Sequence, residues 1–202
     1  MSIVQPIAKL RRQAEKRNEN MEGGMPWRVL DFFLYLLLVM AVVFSIRAVA
    51  FDPVRVDGTS MLDTLQENEI MFVDRLAYLR GTPQRGDIVI CYYPEEYYLQ
   101  TGKQYNTRVK RVAAVGGDTI ESIAGRVYVN GHKLDEPYVS DTRVGYQEIK
   151  KQVVPDGCIF VLGDNRAVSI DSRNEAVGPI PLCRVTGRVR GVIYPFGSVR
   201  VP

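Results

Sequence analysis

Two residue types in this chain could together cleave a bond, a serine and a lysine. Ser60 lies in VDGTSMLDTL (residues 56–65), a loop marked by the turn formers Asp57 and Gly58. A serine there is either an ordinary loop hydroxyl or a nucleophile, and a nucleophile needs a base to take its proton. The usual base is histidine, and the only one is His132, beside a hairpin turn where side chains are usually exposed. A Ser-His-Asp triad is therefore not favoured.

A lysine can replace histidine as the base if its amine is neutral. Its reference pKa of about 10.4 must then fall by roughly three units, which costs roughly 4 kcal/mol, and burial against apolar groups has that effect. In RVKRVAAVGG (residues 108–117), strand alternation puts Lys110 on one face with Val112 and Ala114 and puts Arg111 on the other. The pattern alone also fits a charged strand edge that keeps a sheet soluble.

A third segment, GDNRAVSIDSR (residues 163–173), follows the apolar run CIFVL. It combines turn formers with two aspartates, two arginines and two serines. Asp–Arg pairs can stabilise such a loop, and a serine hydroxyl can accept or donate a hydrogen bond to orient a neutral lysine amine.

The apolar residues concentrate near the N-terminus, in FFLYLLLVMAVVFSI (residues 32–46) and on to Phe51. As a helix, residues 32–51 would be about 30 Å long, which matches a bilayer core. The stretch is apolar all round, unlike a globular surface helix, and predicts a single transmembrane helix. A cleaved signal peptide is the alternative, since Ala48-Val49-Ala50 resembles a cleavage site. Arg47 and the long basic N-terminal segment favour an uncleaved anchor.

The flanking charges predict the orientation of that helix. Six basic residues precede it and only Arg47 and Arg55 follow closely, so the positive-inside rule places residues 1–31 in the cytoplasm and residues 52–202 outside. The six are Lys9, Arg11, Arg12, Lys16, Arg17 and Arg28.

After residue 51 the chain consists of short runs rich in Val, Ile, Tyr and Phe between turn residues. Asn130-Gly131 is a strong hairpin signal. The pattern predicts a mainly β domain with a curved or barrel-like antiparallel sheet. Residues 94–106 and 139–157 are predicted to be irregular loops.

Composition gives little support for other classes of function. The net charge is only +3, too weak to indicate nucleic acid as a partner. The three cysteines, Cys91, Cys158 and Cys183, allow at most one disulfide. They lack CxxC or histidine spacing, so no metal site is indicated, and we expect small buried residues on strands.

SMLDTL after a membrane helix, RVKRVAAVGGD and GDNRAVSIDSR together resemble the bacterial type I signal peptidases (leader peptidases), a family of Ser/Lys serine proteases. The resemblance covers residues 32–196, and it implies a membrane enzyme that removes signal peptides from exported preproteins after small residues (Ala-x-Ala). It implies that Ser60 is the nucleophile, that Lys110 is the general base and that Ser169 orients the lysine amine. No metal or other cofactor is implied; the implied partners are signal peptides and the lipid bilayer.

The resemblance also assigns supporting roles. It implies a structural ion pair between Asp171 and Arg173, and further positions that support the site are Asp164, Arg166 and Met61. The chain departs from the family at Asp63, where proline is usual, and at Gly58, where some members have a serine that donates to the oxyanion. A non-catalytic membrane-anchored binding or assembly protein of the same fold is the alternative.

Overall fold

The structure is a computed structural model that describes residues 25–79, 81–102, 107–139 and 147–202. The chain divides into two compact units, with the boundary between Ala48 and Val49. Most of the N-terminal basic residues, and parts of the two predicted loops at 103–106 and 140–146, lie outside the described residues.

All but the last two residues of helix α1, Met25–Ala50, belong to the first unit. Its segment Trp27–Ser45 is long and apolar enough to cross a membrane, with a mean hydropathy of 2.1. The helix begins seven residues before the predicted span, which starts at Phe32. The predicted span was defined as a stretch without charged residues and so stops short of Arg28 and Asp31, but a helical backbone can continue through charged residues. The helix ends one residue earlier than predicted, since residue 51 already belongs to a strand.

The second unit is mainly β, as the sequence predicts. A seven-stranded sheet has the order β1-β2-β11-β3-β4-β9-β10, and a four-stranded sheet has the order β7-β6-β5-β8. All the pairings are antiparallel, and β11 contains register shifts where it bends across its neighbours. The strands are β1 Phe51–Arg55, β2 Ile70–Asp74, β3 Ile88–Cys91, β4 Arg108–Val115, β5 Thr119–Ile123, β6 Arg126–Val129, β7 His132–Lys133, β8 Gln152–Val153, β9 Cys158–Leu162, β10 Ile180–Pro181 and β11 Val185–Tyr194.

Strand β4 occupies the centre of the packing. Val112 belongs to a core cluster with residues of β3 and β9, and Val109 packs against a second cluster with β2, β11 and the Ser60 loop. Ala113 and Ala114 belong to a third cluster, which joins the two sheets. A strand packed in this way can enclose a polar side chain that it carries, so β4 is suited to bury a lysine.

The predicted hairpin is present between β6 and β7. Asn130 and Gly131 have φ angles of 54° and 79°. Positive φ at both central residues is the conformation that two-residue hairpins favour and that the Asn-Gly pair allows.

The predicted loop 94–106 was wrong in part, because it contains helix α2, Glu95–Thr101. Acidic residues in the first turn complement the helix dipole, and Gly102 ends the helix in the left-handed conformation with φ 63°. Tyr97 and Tyr98 of this helix are buried in the first core cluster. The segment is short and polar, so its sequence resembles a loop. Its helical form depends on the packing of its tyrosines in that cluster, which the sequence does not reveal.

The cysteine prediction holds for only part of the set. Cys91 is buried on β3 and Cys158 is half-buried on β9, but Cys183 is exposed in a 3₁₀ turn (Leu182–Arg184). All three are free thiols. The prediction for Cys183 was wrong because the strand β10 that precedes it is only two residues long.

A glycine at the crossing of β11 and β2 gives a test of this packing. A Cβ at Gly187 would lie 2.8 Å from Val73 Cγ1 and 2.9 Å from the Asp74 carbonyl oxygen. We expect Gly187→Ala to lower the free energy of unfolding by about 1–3 kcal/mol through overpacking, measured by thermal or denaturant unfolding. The control Gly197→Ala, at a position with nothing within 4 Å, should change it by less than about 0.5 kcal/mol. Equal stability of the two variants would contradict the packing.

Candidate active site

The loop that carries Ser60 is fixed to the core on both sides of the serine. Gly58 has a φ of +91°, a conformation that L residues rarely adopt. After the serine, the chain makes one helical turn in which the Leu65 N–H donates to the Met61 carbonyl at 2.8 Å. Met61 and Leu65 are buried in the second core cluster. The backbone around Ser60 is therefore held rigidly.

Lys110 reaches this loop from β4. Its Nζ lies 2.7 Å from Ser60 Oγ, a hydrogen-bond distance. The lysine is only 3% exposed, and its cross-strand partner on β3 is Val89. Fifty residues of sequence separate the two side chains, and the fold places them in direct contact.

Burial lowers the pKa of Lys110 from 10.5 to about 8, because desolvation disfavours the ammonium form. The nearby positive charge of Arg108 lowers this pKa further, whereas Asp171, Cys91 and Asp164 act to raise it. A substantial fraction of the amine is then neutral at pH values where an exposed lysine is fully charged. A neutral amine at hydrogen-bond distance from a hydroxyl is able to act as its general base.

The predicted neighbours of Lys110 are only partly correct. Val112 lies on the same side of β4, as expected, but the register with β9 shifts between Val112 and Ala114. A bulge of this kind interrupts strand alternation. Ala114 therefore packs with Ala113 in the third cluster, and the prediction that it shares a face with Lys110 was wrong.

The loop after β9, residues 163–173, is stabilised by buried charges. Arg173 Nε lies 2.8 Å from Asp171 Oδ1, and Asp171 Oδ2 accepts from the Gly163 N–H at 2.9 Å. Arg173 also donates to the backbone carbonyls of Arg166 and Ser169. These contacts tie both ends of the loop to its middle, so one ion pair sets its shape.

Ser169 lies against the backbone of Ser60. A Cβ at Gly163 would come within 2.2 Å of Ser169 Oγ and 2.5 Å of the Ser60 carbonyl oxygen, so only glycine fits between them. Within the described residues, the buried Ser169 Oγ has no hydrogen-bond partner. The structure thus places this hydroxyl at the site without the hydrogen bond to Lys110 that the sequence predicts, and its orienting role remains a prediction.

Asp164 links the two elements that carry the serine and the lysine. It accepts hydrogen bonds from Arg111 of β4 at 2.7 Å and from Thr64 Oγ1 of the Ser60 loop at 2.6 Å. Arg111 also stacks on Tyr138, with 3.9 Å from the guanidinium to the ring centre. Removing one partner of such a buried pair usually lowers the free energy of unfolding by several kcal/mol. Asp164 therefore holds the Ser60 loop and β4 in a fixed position relative to each other.

Arg166 has a partner that the sequence does not suggest. Its guanidinium pairs with Glu136, which follows the β6–β7 hairpin, and both side chains are buried. The Arg166 Nε donates to the Gly163 carbonyl at 3.0 Å. This pair connects the second sheet to the loop beside the serine, and nothing in the spacing of the two residues could have indicated it.

A cleft of about 270 Å³ opens beside the serine and lysine. One wall is formed by residues 54–61 and another by residues 107–110. Tyr93, Tyr97, Val168 and Ile170 complete the lining. His132 lies elsewhere, exposed on β7.

The family model for the signal peptidases, peptidase S26, matches residues 29–194. The chain belongs to the signal peptidase S26 family. It is therefore a serine-type endopeptidase, which is a hydrolase. Curated signal peptidases I are 30–37% identical to it over most of the chain.

Three relatives show the extent of the similarity. Signal peptidase I of Bacillus licheniformis is 37% identical over 195 residues, covering 92% of this chain and 97% of the relative. Signal peptidases I U and I S of Bacillus subtilis are each 33% identical, covering 83% and 85% of this chain and 88% and 92% of the relatives. A signal peptidase I from Enterococcus faecalis of known crystal structure aligns with a TM-score of 0.42 at 29% identity, over 53% of this chain and 96% of that one.

The lowered pKa of Lys110 predicts the pH dependence of activity. If the neutral amine is the base, kcat/KM should rise with pH up to about 8 and level off above it. Arg108→Gln removes a neighbouring positive charge that lowers this pKa, so the rising limb should move to higher pH. The control is Arg190→Gln, which removes an exposed arginine of β11 that pairs with Asp74 of β2. It should leave the rising limb at the same pH. A wild-type limb near 10.5 would show that the lysine is solvated.

Proposed function

We propose that this enzyme removes signal peptides from exported preproteins, with Ser60 as the nucleophile and Lys110 as the general base. The observation that carries the proposal is the 2.7 Å contact between Ser60 Oγ and the amine of a buried lysine. Membership of the signal peptidase family supports the substrate class.

The reaction follows from these two groups. Neutral Lys110 takes the Ser60 proton as Oγ attacks the scissile carbonyl. The oxyanion that forms is stabilised by backbone donors, among them the Ser60 N–H. Lys110 then returns the proton to the leaving amine, which leaves an ester on Ser60. Water, deprotonated by the same amine, attacks the ester and releases the new carboxylate and the serine.

The substrate is bound as an extended strand. Strand β4 pairs with β3 from Arg108, but its ladder with β9 begins only at Arg111. Residues 108–110 therefore have no strand partner on that side among the described residues, and β1 is an end strand of the same sheet. The cleft lies between these two open edges. An extended peptide there would form main-chain hydrogen bonds, as strand addition requires.

Small residues are selected by the size of the cleft. Its volume of about 270 Å³ falls below the roughly 300–1,000 Å³ of typical ligand pockets. Val56, Met61 and Val109 provide apolar walls close to the serine. Such a space suits the alanines of the Ala-x-Ala pattern that precedes signal-peptide cleavage sites.

The enzyme is anchored by α1 with its N-terminus in the cytoplasm and its β unit outside. The apolar segment Trp27–Ser45 is the membrane span, and the excess of basic residues before it sets the direction. Under this proposal, protease added to intact cells should digest only the β unit. Digestion of the N-terminal segment alone would show that the orientation is the opposite one.

Ser60→Ala and Lys110→Met should each abolish cleavage of a signal-peptide substrate without unfolding the protein, because either change prevents formation of the attacking alkoxide. The double variant should be little slower than either single one, as for residues that act as a unit. His132→Ala is the control and should cleave at the wild-type rate. A second substrate, with leucine in place of both alanines, should remain uncut. Cleavage by Ser60→Ala at the wild-type rate would exclude the proposed mechanism.

Ser169→Ala tests the orienting role of that hydroxyl. Loss of a group that positions a reacting side chain typically lowers activity 10- to 100-fold, and we expect a fall in kcat of this size with little change in thermal stability. The control is Ser122→Ala, which removes a hydroxyl bonded to Ile149 in the second sheet. If Ser169→Ala turns over as fast as that control, Ser169 is only a packing residue.

A further inference from the structure

Asn165 contacts the backbone on both sides of the nucleophile. Its side-chain Nδ2 donates to the Thr59 carbonyl at 3.1 Å. Its backbone N–H donates to the Ser60 carbonyl, also at 3.1 Å. One residue of the loop after β9 therefore holds the two peptide groups that flank Ser60.

The first of these contacts controls the direction of the Ser60 N–H. The Thr59 carbonyl and the Ser60 N–H belong to one peptide group, which is planar and trans, so the two bonds point in opposite directions. Fixing the carbonyl toward Asn165 therefore fixes the N–H on the opposite side of the plane. Within the described residues the Ser60 N–H makes no hydrogen bond of its own, and it remains available as a donor.

We propose that Asn165 is a positioning residue that aims the Ser60 N–H at the oxyanion. Among the described residues it makes no hydrogen bond to the Lys110 amine or to Ser60 Oγ, and it acts through the Thr59–Ser60 peptide. Because the oxyanion forms only during the reaction, such a residue affects the transition state and not the bound substrate. The inference rests on the proposed role of Ser60 and is independent of the Ala-x-Ala preference.

The expected size of the effect follows from the remaining contacts. The Thr59 carbonyl also accepts from the Leu62 N–H at 3.3 Å, and the backbone bond from Asn165 to Ser60 is retained in any variant. Complete loss of an oxyanion donor costs about 10²- to 10³-fold in kcat. Removing Asn165 Nδ2 leaves the Ser60 N–H present but poorly directed, so the loss of kcat should be smaller, about 10- to 100-fold.

The test compares Asn165→Ala and the isosteric Asn165→Asp in the full-length, detergent-solubilised enzyme. Asn165→Asp replaces the donor with an oxygen that repels the Thr59 carbonyl, so its kcat should be at least as low as that of Asn165→Ala. For both variants KM should stay within about 2-fold of wild type. In Asn165→Ala the pH limb should not move, since Lys110 keeps its surroundings. Ser122→Ala serves as the matched control for loss of a side-chain-to-backbone bond outside the site.

A pair of inhibitors separates aiming from general damage to the site. A substrate-like peptide aldehyde forms an adduct with Ser60 whose oxygen occupies the oxyanion position, whereas the matching peptide amide only fills the cleft. In Asn165→Ala the Ki of the aldehyde should rise in proportion to the loss of kcat/KM, and the Ki of the amide should stay constant.

Four results would overturn the inference: an unchanged kcat, a shifted pH limb in Asn165→Ala, parallel weakening of both inhibitors, or unfolding of both variants. The last three would make Asn165 a residue of general structure. Cleavage by Ser60→Ala would instead refute the proposed function, so the two failures are distinguishable.

Discussion

A buried lysine amine lies 2.7 Å from a serine hydroxyl, and the rest of the site depends on keeping a fraction of that amine uncharged. Water would restore the charge, so the amine has to be enclosed on a strand that is packed from several sides. Strand β4 meets this requirement because it lies inside the larger sheet and contributes to three core clusters. The pKa of Lys110 falls to about 8 as a consequence of that position.

The loops around the lysine are held by buried charges. Charged residues around the amine shift its pKa in opposite directions. Three buried ion pairs connect β4, the loop after β9 and the second sheet, and a hydrogen bond from Thr64 to Asp164 adds the Ser60 loop. The pairs are Arg111–Asp164, Arg173–Asp171 and Arg166–Glu136. Asp171 and Asp164 raise the pKa of Lys110, and desolvation together with Arg108 lowers it. Pairing each aspartate with an arginine keeps the loops rigid while limiting the net negative charge near the amine.

The same sheet also has to admit a polypeptide. The ladder between β4 and β9 starts at Arg111, one residue after the lysine, and β1 is an end strand. An enclosed lysine and an open strand edge are therefore adjacent on one strand. Under the proposed mechanism, a fully paired β4 would bury Lys110 equally well but would leave no edge for an extended substrate, so the incomplete pairing combines a buried lysine with an accessible cleft.

The apolar helix, the mainly β character, the Asn130-Gly131 hairpin and the family could all be predicted from the sequence, because they depend on local patterns and short motifs. The bulge after Val112 and the helix at Glu95–Thr101 were not readable, since both are set by packing with distant strands. The family resemblance implied that Ser60 and Lys110 act together, but their direct contact is seen only in the folded chain, as are the Arg166–Glu136 pair and the hydrogen bond from Asn165 to the Thr59 carbonyl. These contacts join residues 30 to 106 positions apart, and local propensity contains no information about such distances.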